Sequence, residues 1–141
     1  MASLWLIDPT KLPEPTARRR KIGRKPLIDL AGLQQAIRAG ELDENDVELA
    51  TRSSSQDLQT LEWEVDDLLE CLCSATASDF KGAEWCEDGN GNSYPCDAYS
   101  VPYDNVGRCR DPGSWTEYYL KFSIDEAGSM TLVMIRNHLA R

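Results

Sequence analysis

The chain reads as an α+β protein, with two or three N-terminal helices packed on a small antiparallel sheet. Two observations carry that reading. Apolar residues recur at steps of three and four through the first half, and they alternate in the last quarter. Turn-forming segments rich in Gly, Asn and Pro separate the later blocks, at EDGNGNSYP and RCRDPGSW.

Residues 1–25 contain Pro9, Pro13 and Pro15 and then a basic run, Arg18, Arg19, Arg20, Lys21, Arg24 and Lys25. This composition predicts a flexible tail with little regular structure, and Leu4 to Ile7 offer a short strand against the body. Residues 26–141 are read as a single domain. Pro26 suits the first position of a helix. Leu27, Leu30, Leu33 and Ile37 follow as an apolar stripe, and Gly40 supplies a stop, so a helix is expected over 26–39.

A polar stretch with a short helical option at 44–50 comes next. Ser54 and Ser55 then read as caps for one amphipathic helix. Its buried face is Leu58, Leu61, Val65, Leu68 and Leu72, and its solvated face includes Asp66, Asp67 and Glu70. After Phe80 the pattern turns to strands. DAYSVPY has strand character interrupted by Pro102. Tyr118, Leu120, Phe122 and Ile124 alternate with Tyr119, Lys121 and Ser123. Residues 125–128 form a hairpin connection, and MTLVMIRNHL is a last strand apolar on both faces at its start.

Net charge is −9 over 141 residues, unevenly spread. Residues 1–40 carry eight Lys or Arg against three acids, and residues 41–141 carry seven against twenty-one. The basic run can touch phosphates, whereas the acidic body is a poor general platform for a polyanion. No run of about 18 apolar residues occurs that would span a membrane. The opening MASLWLIDPTKLPEP lacks the basic start and apolar length of a secretory signal, so the expected location is the cytoplasm. Five cysteines, Cys71, Cys73, Cys86, Cys96 and Cys109, lack the tight paired spacing of a zinc site and read as reduced thiols. No metal and no cofactor are expected.

Several short segments then line up in order. They are IDLAGLQQAIRAGEL with Thr51-Arg52-Ser53 behind it, Ser78-Asp79-Phe80-Lys81, Asp97 with Tyr99 and Pro102, Tyr119-Leu120-Lys121, and LVMIRNHL ending on His138. From about residue 27 onward, with extra loop residues around 88–93 and 104–113, the chain resembles the MqsR-type mRNA interferase toxins. The resemblance implies a small-RNase fold and metal-independent cleavage of mRNA at GC-containing triplets. It also implies a cognate antitoxin as partner. By position, Lys81, Tyr119 and His138 match the family's catalytic Lys, Tyr and closing basic residue. Cys96 stands where the family has a catalytic Gln, and a thiol cannot reproduce an amide's donors and acceptor.

Metal-free RNA cleavage uses the ribose 2′-OH as nucleophile, so a site must move two protons and neutralise a phosphate. Lys81 and Arg136 are the residues expected to stabilise the phosphate, His138 to carry protons, and Tyr119 to donate a hydrogen bond. Lys121, Arg108 and Arg110 are the cations expected to build an RNA-binding cleft. Two other readings stand beside this one. The first is a non-catalytic binding protein on the same fold. The second is an acidic inhibitor or immunity-type protein that meets a basic partner.

Overall fold

The computed structural model describes residues 3–16, 20–125 and 128–139, with side chains described up to Asn137. Its architecture corrects the expected arrangement of helices on a small antiparallel sheet. The protein is a mixed α/β fold dominated by a seven-stranded sheet, with three α-helices. In chain order the elements are β1 (Lys21–Gly23), α1 (Leu30–Arg38), β2 (Val47–Leu49), α2 (Arg52–Leu61) and α3 (Val65–Cys73), then β3 (Phe80–Glu87), β4 (Ser93–Asp104), β5 (Cys109–Arg110), β6 (Thr116–Ile124) and β7 (Met130–Leu139). The sheet runs β1-β3-β4-β6-β7-β2, with β5 added on β4. β2 lies parallel to β7, and the other pairs are antiparallel. Strands therefore enter the sheet before and between the helices, which defeats a simple helices-then-sheet order.

Local chemistry explains where the elements differ from expectation. Helix α1 begins at Leu30, not Pro26, because Asp29 caps it by accepting from the Gly32 N–H. The preceding Leu27 and Ile28 stay outside the helix, since their N–H groups bond to Asp97 on β4. The polar stretch at 44–50 forms a short 3-10 turn and then β2. The single helix expected over 56–75 is two helices. Glu62 takes a left-handed conformation (φ 58°) that ends α2, and the Asp67 carboxylate accepts the Glu64 N–H to start α3. Between them Trp63 turns inward, stacking on Tyr118 at 4.6 Å and meeting Tyr103 edge-on. Thr51, rather than Ser54 or Ser55, caps α2, and Ser54 completes the capping box.

The stretch read as a tail carries regular structure in its described part. Trp5 bridges Ile28, and β1 pairs with β3. Arg18 and Arg19 of the basic run lie outside the described residues.

One face of the sheet carries the core. Tyr99, Val101, Leu120, Phe122, Leu132 and Ile135 pack with Leu33 of α1 and Leu68 and Leu72 of α3. Helix α2 lies along the edge of β7 beyond its pairing with β2: the Asp57 carboxylate accepts the Ile135 N–H, and Thr51 donates to the Val133 carbonyl at the bulge in that strand. An edge that would otherwise template further pairing is thus closed.

Asp97 is fully buried on the core face and ties β4 to the segment before α1. Burial pushes its carboxyl up to about 6, against the Leu27 and Ile28 N–H groups that favour the charged form. Between the ordinary value of 3.8 and about 6 the folded chain binds more protons than the unfolded chain. This group's contribution to stability is therefore present in full below that window and is lost as pH rises through it, by on the order of 2–3 kcal/mol. Asp97→Asn removes the ionisation and keeps an acceptor. Urea midpoints at pH 4.5 and 6.5 are expected to differ less in the variant than in the parent; parallel changes would refute the assignment.

Candidate functional site

Antiparallel register decides which side chains share the face away from the core. Tyr119 on β6 stands opposite Ser100 on β4 and opposite Arg136 on β7, so these three leave the sheet on one side. Lys121, opposite Ala98, follows them. The floor of this face is made of the small buried residues Cys96, Ala98 and Ser100. Lys81 lies on β3 where the register slips between Phe80 and Gly82. Gly82 has φ 130°, a conformation open to glycine, and a Cβ there would stand 3.7 Å from the Gly23 carbonyl of the neighbouring strand. This bulge turns β3 locally at the point where Lys81 emerges.

The result is an open concavity of about 480 Å3. It is lined by Lys81, Gly82, Ala83 and Glu84 of β3, Ala98 of β4 and Tyr119 of β6, with β1 and the following Arg24 as the remaining wall. Lys81 and Tyr119, 38 positions apart in the chain, meet there. Lys21 and Arg24 join them. Among the described residues, none of Lys21, Arg24 and Lys81 has a carboxylate partner.

The neighbouring groups are engaged. Lys121 is ion-paired with Glu84, and its ammonium lies 5.6 Å from the centre of the Tyr119 ring. Burial pulls Lys121 down, but Glu84 and the adjacent Tyr119 and Cys86 outweigh it and hold the ammonium above its ordinary value. Burial pushes the Tyr119 phenol up, with Lys121 acting in the opposite sense, so the hydroxyl is protonated at neutral pH. A protonated phenol donates a hydrogen bond. Beneath them, the Cys96 thiol holds Cys86 below the ordinary thiol value, while Cys96 itself is pushed up by its bond to Cys86 and by burial.

Of the other expected residues, Arg136, Arg108 and Arg110 are engaged away from the concavity. Arg136 shares the face of Tyr119 but reaches α2, donating to the Ser53 hydroxyl at 3.3 Å with Asp57 at 3.6 Å. His138 lies in β7 opposite Glu117, and its side chain falls outside the described residues. Arg108 pairs with Asp67 and Glu70 on α3. Arg110 grips both carboxylate oxygens of Asp79 and donates to the Ser74 carbonyl. Neither Arg108 nor Arg110 lines the concavity. Both tie the segment after β4 to α3 and to the turn that follows it, apart from the concavity. Cys96, expected to stand in place of a catalytic Gln, is fully buried.

Glu84 is a lining residue that the sequence did not single out, while Lys21 and Arg24 belong to the basic run read as able to touch phosphates. The charge density of the basic run was visible, but a three-residue strand within it was not. Among the described residues, no three His, Cys, Asp or Glu side chains gather as metal ligands, and the five cysteines are free thiols. No described helix is long and apolar enough to cross a membrane. No family model, curated protein or solved structure matches the chain.

Proposed function

We propose that the concavity binds the sugar–phosphate backbone of RNA, and that the chain is a metal-independent endoribonuclease of the MqsR-like kind, acting in the cytoplasm and restrained by a cognate antitoxin. The observation that carries the reading is the gathering of Lys21, Arg24, Lys81 and Tyr119 in one open concavity on a chain of net charge −9. Three cations without carboxylate partners among the described residues form a local anion site that the overall charge does not favour. In the reaction the 2′-oxygen bonds to phosphorus as the bond to the 5′-oxygen breaks. One proton leaves the 2′-OH, one reaches the departing 5′-oxygen, and a 2′,3′-cyclic phosphate results. Lys81 stabilises the charge on the non-bridging oxygens, and Tyr119 donates a hydrogen bond beside it. His138 is assigned the proton transfer.

A second reading, a non-catalytic RNA binder on the same fold, is favoured by Cys96. It is buried and offers no amide where the family places Gln. Incubation with GC-containing RNA in the presence of a chelator separates the two. The nuclease yields fragments ending in cyclic phosphate, detected by mass spectrometry. RNA that is retained but intact at saturating protein overturns the nuclease and leaves the binder.

A further inference from the structure

We infer that β1 and the adjoining Arg24 form a separate backbone-binding subsite beside Lys81, so that the ligand is a single strand carrying consecutive phosphates and not a mononucleotide. The inference rests on the proposed RNA-binding reading of the concavity and names its ligand class. It begins from the basic run, which the catalytic assignment does not use. This segment is fastened at its entry: the Trp85 N–H donates to the Arg20 carbonyl at 2.8 Å, and the Arg20 guanidinium pairs with Glu87 at 2.8 Å. Lys21 is then in register with Glu84, and Gly23 with Ala83.

That register spreads the positive charge along the wall. Lys81 lies three residues before Glu84, the partner of Lys21, with the bulge at Gly82 between them, so Lys21 and Lys81 stand at different levels along the strand direction. Arg24 follows Gly23 at the end of β1 and lines the concavity together with Lys81. Arg24 and Lys81 therefore flank one phosphate, and Lys21 meets a neighbouring one. A single phosphate cannot engage both ends of such a row, whereas a strand running along β1 can.

The test uses the full chain and a fluorescent 2′-deoxy oligonucleotide, which lacks the nucleophile and cannot be cut. Anisotropy titrations across a salt series compare the parent with the double variant Lys21→Ala, Arg24→Ala. Both side chains are exposed, and thermal melting checks that the fold persists. Loss of two phosphate contacts is expected to flatten the slope of log Kd against log salt by about 1.4, at roughly 0.7 per contact for a single strand. Lys25→Ala, exposed beside the concavity but not lining it, is expected to leave the slope unchanged. An unchanged slope in the double variant overturns the subsite, as does a 5′-mononucleotide that competes as well as the strand. The cleavage assay on RNA is independent of both. Binding with the predicted slope change but no cleavage keeps the subsite and removes the nuclease; cleavage with an unchanged slope does the reverse.

Discussion

Lys81→Ala is expected to slow cleavage of a GC-containing oligoribonucleotide by a factor of about 100 to 1000 under single-turnover conditions, the usual cost of removing one preorganised charge stabiliser. The effect belongs to the transition state. Charge accumulates on the non-bridging oxygens as the fifth bond to phosphorus forms, and an ammonium placed there lowers the barrier more than it tightens ground-state binding. Affinity for an uncleavable strand is accordingly expected to fall far less than the rate. Lys81 is exposed at the β3 bulge and makes no ion pair among the described residues, so its removal is expected to shift stability by less than about 0.5 kcal/mol. Lys81→Arg keeps the charge and is expected to recover part of the rate. A Lys81→Ala protein that cuts as fast as the parent would remove Lys81 from the chemistry.

Arg110→Ala is expected to produce a large loss of stability and little change in RNA affinity. The Asp79 side chain is only 7% exposed, and Arg110 supplies a two-pronged contact to its carboxylate. Burial pushes Asp79 up, but Arg110 and Thr76 outweigh it and hold the carboxyl below its ordinary value. Removing one partner of a buried pair costs about 3–5 kcal/mol when the remaining charge is left alone. Here Arg110 is partly exposed and Thr76 still donates to Asp79, so about 2 kcal/mol is expected, read from the denaturant midpoint. The sign with pH follows from the depressed carboxyl. The pair's contribution is present above the ordinary value of 3.8 and is lost as pH falls below it. The variant is expected to lack that acid-side loss, and Asp79→Asn combined with Arg110→Ala is expected to be more stable than Arg110→Ala alone. A variant of unaltered midpoint that binds RNA less tightly would return Arg110 to the binding surface.

The sheet residues that alternate were readable from the sequence. Tyr118, Leu120, Phe122 and Ile124 face the core as their period of two requires, and β7 pairs antiparallel with β6, while Glu126 and Ala127 of the expected hairpin connection lie outside the described residues. The break between α2 and α3 was hidden because Leu61, Val65, Leu68 and Leu72 keep helical spacing straight through it. Only the left-handed Glu62 and the burial of Trp63 divide the run, and neither leaves a periodic trace. β1 and β2 are three residues each and owe their existence to pairing with distant strands, so local pattern could not announce them. For the site, order of motifs brought Lys81 and Tyr119 together, while the bulge at Gly82 and the edge strand that adds Lys21 and Arg24 are tertiary facts. Arg108 and Arg110 were read as a basic surface because a loop sequence does not show that Asp67, Glu70 and Asp79 are waiting for them.

In the proposed reaction Lys81 and Tyr119 act on the same phosphate. The most direct measurement is a cycle of single-turnover rates for the parent, Lys81→Ala, Tyr119→Phe and the double variant. Groups that work as a unit are strongly non-additive, so the double variant is predicted to be no slower than about the worse single variant. Rate losses that simply multiply, or a Tyr119→Phe protein as fast as the parent, would contradict a shared site.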